Sequence, residues 1–246
     1  MNCKESAKPI MLWSVPRSAS TAFERIFIER GDMKIFHEPY SCAYYFSKQR
    51  KSNRYSDTPP KKESSYDEIT GEILSSHERA SVFIKDMAFH VNGYWTHDFL
   101  NKLRNTFLIR EPISALNSQY KLLPDFTLAE SGYPSLKEIF FAVADQCGEA
   151  PLLIDTQDFT SSHQNVLEKY CSYLDIPFIS SSLNWEKREV PEWDVWKGWH
   201  TGALDSTGIR PITKKSNEIA ISDHVKSIAD EVMPIYEEMI KYKYCP

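Results

Sequence analysis

The chain has 246 residues, of which 41% are hydrophobic and 26% charged, and carries a net charge of −5. It is long enough for one large α/β domain or two small ones, with the composition of a soluble globular protein. The acidic balance removes any general electrostatic case for nucleic-acid or anionic-membrane binding, so a basic site here must be local. In chain order, the first feature is IMLWSVPRSASTAFERIF, residues 10–27. The apolar run 10–15 has strand length, Ser18, Ser20 and Thr21 are helix-capping residue types, and residues 21–29 have helical spacing. Strand, tight loop and helix start together make a phosphate-binding arrangement, because free backbone N–H groups and the positive end of the helix dipole face the loop. The nucleotide signature G-x-x-x-x-G-K-[ST] is absent, and Arg17 stands in a loop without glycine.

Further strands are expected at 34–37, 82–85, 106–109 and 152–154, each nearly continuous in apolar character, as in a parallel sheet buried on both faces. Helices are expected between them at 66–76, 95–102, 113–121, 135–147 and 163–174, with a last helix near 223–241. This alternation predicts a doubly wound α/β sheet in one domain, with ligands at the carboxyl ends of the strands. Two polar stretches interrupt it. Residues 47–65, SKQRKSNRYSDTPPKKESS, read as a mobile basic surface loop, either solvated or closing over an anion. Residues 201–217 precede the last helix. No stretch approaches the roughly 20 apolar residues that span a bilayer, and the start MNCKESAKP is not a secretory signal, so a cytoplasmic location is expected. Cys3, Cys42, Cys147, Cys171 and Cys245 are scattered with no C-x-x-C, which favours reduced thiols over a zinc site.

A second anion-binding element lies in NTFLIREPISALNSQY. Arg110 ends a buried strand, Pro112 opens a helix, and Ser118 follows the arginine by eight residues, a little under two turns into that helix. A guanidinium fork and a hydroxyl can then meet around one phosphate. The competing reading pairs Arg110 with Glu111 or Asp125.

Together these elements resemble the sulfotransferases that use 3′-phosphoadenosine 5′-phosphosulfate (PAPS), nearest to bacterial small-molecule sulfotransferases. Pro16-Arg17-Ser18-Ala19-Ser20-Thr21 matches the family's 5′-phosphosulfate loop, and Arg110 with Ser118 matches its 3′-phosphate pair. The blocks FHEPY (36–40) and FIKDM (83–87) fall between them in the family's order. The resemblance spans roughly residues 10 to 210. It implies a P-loop-like parallel sheet flanked by helices, PAPS as donor, adenosine 3′,5′-bisphosphate (PAP) as product, and no required metal. Arg17 would replace a Walker lysine, and Arg17 with Lys85 would neutralise the leaving phosphate in an in-line transfer. Ala19 stands where the family often has glycine, and Ala22 where it often has tryptophan, so Ala22 leaves the adenine-stacking partner open. The loop Ser206-Thr207-Gly208 stands where relatives close on the 3′-phosphate, with Arg210 adding charge.

Lys85-Asp86-Met87 lacks the histidine that serves as base in cytosolic eukaryotic members, so the base must lie elsewhere. Glu38 is the first choice, by analogy with branches that place a glutamate at the end of the second strand. His37, expected on the opposite side of the strand from Glu38, is either an orienting histidine or a base; His90 and His200 are further candidates. Asp86 either pairs with Lys85 or caps the strand. Trp185, Trp193, Trp196 and Trp199 form either a staple onto the domain body or, with Tyr40, His90 and His200, a wall of the acceptor pocket. The acceptor is expected to be a small molecule with a hydroxyl or nitrogen nucleophile, natural-product-like and conceivably cationic. The rivals are a P-loop kinase or hydrolase and a PAPS-fold binding module that has lost its base.

Overall fold

The computed structural model describes residues 8–61, 64–199, 201–212 and 221–244. Five parallel strands form one sheet: β1 (Ile10–Ser14), β2 (Lys34–His37), β3 (Val82–Met87), β4 (Arg104–Ile109) and β5 (Leu153–Asp155), in the order β2-β3-β1-β4-β5. β1 is central, flanked by β3 in the register Leu12↔Lys85 and by β4 in the register Leu12↔Thr106. All five strands fall where the apolar runs predicted them.

Strand alternation divides the interior into two cores. Met11, Trp13, Ile84, Phe107, Ile109 and Leu153 face one, and Leu12, Phe83, Leu108 and Ile154 face the other. The first core is closed by α3 (Tyr66–His77), α5 (Pro112–Tyr120), α6 (Tyr133–Cys147) and α10 (Asp223–Met239). The second is closed by α1 (Ser20–Arg30) and α8 (His163–Tyr173), where Phe27 stacks on Phe83 with ring centroids 3.8 Å apart. Side chains cap these helices: Ser65 and Glu68 form a reciprocal capping box on α3, and Glu111 accepts from the N–H groups of Ile113 and Ser114 at α5.

Several elements differ from expectation. The helix expected at 95–102 shrinks to α4 (His97–Leu100), because Asn105 donates to the Leu100 and Leu103 carbonyls and turns the chain into β4. An unpredicted helix, α2 (Pro39–Phe46), follows β2; its tyrosines and phenylalanine are weak helix formers that burial overrides. α7 (Thr156–Ser161) and a short α9 (Thr201–Leu204) were likewise not expected. The basic loop 47–65 is fastened rather than loose over its described part. Arg50 donates to the carbonyls of Tyr55, Ser56 and Thr58, and Arg54 is bonded to Glu130 and Asp125. Cys42 and Cys171 are free thiols, but Cys147 is disulfide-bonded, against the expectation of reduced thiols throughout. Spacing along the chain does not reveal which sulfurs a fold brings together. Cys3 and Cys245 lie outside the described residues.

Candidate active site

The carboxyl ends of β1, β3 and β4 open onto one cavity of about 310 Å³. Its floor is the loop after β1. Arg17 (φ 61°) and Ala19 (φ 63°) both take the left-handed conformation usually given to glycine, and Ser18 Oγ bonds back to the Val15 carbonyl at 2.7 Å. Each left-handed non-glycine residue costs roughly 1–2 kcal/mol, and such strain concentrates at functional sites. Ala19 is the N-cap of α1 and supplies no side-chain cap, so the first helical turn faces the cavity at Ser20, Thr21 and Ala22. Gly132 (φ 80°) braces the loop from behind; a Cβ there would lie 3.0 Å from Pro16 Cδ.

The two anion elements converge. Arg17 Nε donates to Ser118 Oγ at 3.0 Å, its Nη1 donates to the Trp199 carbonyl at 3.0 Å, and Arg110 Nη1 donates to the Arg17 carbonyl at 2.6 Å. Tyr133 OH in turn donates to the Arg110 carbonyl at 2.6 Å. Burial, then the neighbouring charge of Arg110, pushes the Arg17 guanidinium below its ordinary value, and burial does the same to Arg110. Neither cation is bonded to a carboxylate among the described residues. The alternative partners expected for Arg110 are occupied, Glu111 by capping α5 and Asp125 by Arg54. Two adjoining half-buried guanidiniums with no carboxylate on them make this basin strongly basic. Arg17 and Ser118 thus adjoin where the two elements meet.

At the far end of β2, Glu38 (φ 45°) is a third left-handed non-glycine residue and the N-cap of α2. Its carboxylate lines the cavity and receives the ammonium of Lys85, which is fully buried behind it. His37 does not stand opposite Glu38. The left-handed turn breaks the strand alternation and brings His37 Nε2 to 3.7 Å from Glu38 Oε1. His37 Nδ1 lies 2.6 Å from Glu24 Oε2, which also accepts from Trp193 Nε1 at 2.8 Å. His37 is therefore held between Glu24 and Glu38 inside a buried polar cluster.

Asp86 neither pairs with Lys85 nor caps the strand alone. Adjacent strand residues point to opposite faces, and Asp86 faces α2 and the turn after β3. Its oxygens accept from Tyr40 N (2.8 Å) and Met87 N (2.8 Å), and Oδ1 lies 2.6 Å from His90 Nδ1. Tyr40, expected on the acceptor wall, is wholly buried with its hydroxyl on Thr70, so it does not reach the cavity. His90 does line it.

The roof comes from residues 191–212. The stripe expected from the tryptophan spacing is a 3₁₀ segment, Pro191–Trp199, broken at Trp196 (φ −122°, ψ 25°). The break divides the stripe: Trp193 is buried against Arg25 and Glu24, while Trp196 and Trp199 line the cavity. Trp196 Nε1 donates to Ser41 Oγ at 2.9 Å. Ser206 and Gly208 reach the cavity with Arg210, but the Ser206 hydroxyl is committed to Trp185 Nε1 (3.1 Å) and the Ala203 carbonyl (2.7 Å). Thr207 points outward. His200 lies outside the described residues. Sequence reasoning missed Tyr45, Arg54, Tyr55, Phe89, Gln119, Leu123 and Glu130, all of which line the cavity. Arg54 in the basic loop was the one readable signal, since a cation in such a stretch needs a partner. No group of His, Cys, Asp and Glu among the described residues has the arrangement of a metal site.

The loop after the first strand and a later strand-end arginine thus share one basic basin at the carboxyl edge of a parallel sheet, as in α/β proteins that bind anionic ligands there. Residues 8–242 match the Sulfotransferase domain family, and the chain belongs to it. The fold is similar to the sulfotransferase domain of the Synechococcus PCC 7002 olefin synthase (TM-score 0.59, 14% identity, 97% of this chain and 96% of that one). It is also similar to a sulfotransferase from Alicyclobacillus acidocaldarius (TM-score 0.52, 9% identity, 96% of this chain and 97% of that one). The branched-chain-amino-acid aminotransferase-like protein 2 of Arabidopsis thaliana is 25% identical over 229 residues, 92% of this chain. The chain spans only 40% of that relative's length.

Proposed function

We propose that this protein transfers the sulfuryl group of PAPS to the hydroxyl of a small, uncharged and largely apolar acceptor. The observation that carries the donor assignment is the Arg17–Arg110 pair, two half-buried cations sharing a basin with Ser118 and the first turn of α1. Such a basin suits a donor with phosphate at both ends of its ribose. Arg17 and the loop 16–22 receive the 5′-phosphosulfate, Arg110 and Ser118 the 3′-phosphate, and Lys85 the charge developing on the leaving phosphate. Lys85 is held by Glu38, so donor oxygens must compete with that carboxylate for the ammonium.

The acceptor end supports a revision of the cationic acceptor considered from sequence. Its carboxylates are already engaged, Glu38 by Lys85, Glu130 by Arg54 and Asp86 by His90. The remaining wall is Tyr45, Tyr55, Phe89, Leu123 and Trp196. An apolar alcohol or phenol fits such a wall; an ammonium would find no spare counter-charge there.

Titration calorimetry in EDTA tests the donor reading. PAP is expected to bind and ATP to give no heat. Arg110→Ala should weaken PAP about 10- to 100-fold, the worth of a charge-assisted hydrogen bond of roughly 1.5–3 kcal/mol. Equal binding of ATP, or PAP binding untouched by Arg110→Ala, contradicts it. Incubation with ³⁵S-labelled PAPS and a panel of neutral, cationic and anionic acceptors then reads the acceptor class by mass, and exclusive sulfation of cationic members contradicts the apolar reading.

A further inference from the structure

We infer that His90, oriented by Asp86, takes the acceptor's proton, an inference that rests on the sulfuryl-transfer reading above and assigns its base. Both Asp86 oxygens already accept backbone N–H groups, from Tyr40 and from Met87, so Asp86 meets His90 as an acceptor too. The 2.6 Å contact then fixes the proton on His90 Nδ1 and leaves the lone pair on Nε2. The ring is only 3% exposed and wedged among Tyr44, Tyr45 and Phe89, at centroid distances of 5.4, 5.6 and 4.4 Å. Nε2 has no protein partner among the described residues and is not among the sealed, unsatisfied atoms, and His90 lines the cavity. A buried imidazole with its orientation fixed on one side and an open lone pair on the other is the arrangement of a positioned general base.

Glu38 is placed differently. Its carboxylate holds the Lys85 ammonium and lies close to His37. It is a keeper of the lysine. The assignment also accounts for Asp86: from β3 it reaches His90, four residues on, in the 3₁₀ segment Ala88–Val91 that follows the strand.

In the step, the acceptor oxygen attacks sulfur and an O–S bond forms as the bond from sulfur to the bridging oxygen of PAPS breaks. That oxygen leaves with the electron pair on the phosphate of PAP. The acceptor proton passes to His90 Nε2, the Nδ1 proton stays on its bond to Asp86, and the Nε2 proton is later lost to water. His90 is the catalytic residue and Asp86 a positioning residue.

The test compares wild type, His90→Gln, Asp86→Asn and Glu38→Gln with PAPS and two probes, phenol and 4-nitrophenol, at mildly alkaline pH. Phenol must lose its proton during transfer, whereas 4-nitrophenol is largely ionised beforehand. His90→Gln should lower kcat for phenol by about 10²–10⁴-fold, the usual worth of general-base catalysis, and lower it far less for 4-nitrophenol. Asp86→Asn should follow the same pattern, lowering kcat with PAP affinity unchanged. Glu38→Gln should slow both probes alike. An equal loss on both probes for His90→Gln, or no loss, overturns the proposal. Calorimetry with PAP and melting curves on the same variants report whether the fold and donor site survive, so failure of wild type to bind PAP indicts the sulfuryl-transfer reading instead. Independent of any acceptor, the ¹⁵N spectrum of the His90 ring should show a protonated Nδ1 and a bare Nε2, with that preference weakened in Asp86→Asn. The opposite tautomer in wild type overturns the proposal.

Discussion

Arg17, Ala19 and Glu38 are left-handed non-glycine residues, and all three border the same cavity. At Ala19 the side chain is small enough to bear the conformation. Replacing it by glycine removes roughly 1 kcal/mol of local strain and adds a similar entropy cost in the unfolded chain, so Ala19→Gly should melt within a few degrees of wild type. A β-branched side chain has no such escape. Ala19→Val should lower stability by more than about 1 kcal/mol and weaken PAP binding together, read by thermal unfolding and calorimetry. Arg17 bears its strain for a different reason: its carbonyl is held by Arg110 and its guanidinium by Ser118 and Trp199, so backbone and side chain are both fixed.

Among elements, the basic loop changes meaning most between sequence and structure. Arg54 forks onto both oxygens of Glu130, at 2.7 and 2.8 Å, and Thr127 N adds a third bond to that carboxylate. Burial pushes Glu130 up, but the hydrogen bonds from Arg54 and Thr127 more than reverse this and hold it below its ordinary value of 4.5. A depressed carboxylate contributes its stabilisation in full above the unfolded value and loses it as pH falls through the folded one. Tryptic cleavage within residues 48–54 should therefore be slow at neutral pH and faster in Glu130→Gln. Hydrogen exchange of the same loop should accelerate in wild type as pH falls below 4.5 by more than the intrinsic chemistry requires. Unchanged protection in Glu130→Gln would show that the clamp does not hold the loop. The roof segment is fastened by other means: Arg25 lies against the rings of Trp185 and Trp193, at 5.8 and 5.7 Å, and donates to the Glu186 carbonyl.

Across the whole molecule, the two-cored sheet supplies the rigidity on which a strained loop depends. Phe83 belongs to the core under α1, and the strained loop around Arg17 runs directly into that helix. Phe83→Ala removes a stacked, fully buried ring and should cost about 3–5 kcal/mol in urea unfolding. Folded Phe83→Ala protein should still bind PAP, because no donor-binding side chain is touched. A loss below about 1 kcal/mol would mean the core relaxes around the gap.

Much of this was legible beforehand for a plain reason. Strands buried on both faces of a parallel sheet must be apolar throughout, so β1 to β5 announce themselves, and an arginine with a serine eight residues on reads directly as two groups on one strand-end and one helix. Helix α2 was hidden because its aromatic residues follow burial rather than intrinsic propensity. The sequence by itself determined the parallel α/β class, the strand–loop–helix turn around Arg17 and the arginine–serine pair, since these depend on local periodicity and short spacing. Only the tertiary structure decided that Tyr40 is core, that His37 meets Glu24, that Glu38 meets Lys85, and that Asp86 meets His90. Those outcomes depend on one left-handed turn at Glu38 and on segments far apart in the chain, and side-chain direction at such places is set by packing, which no local pattern encodes.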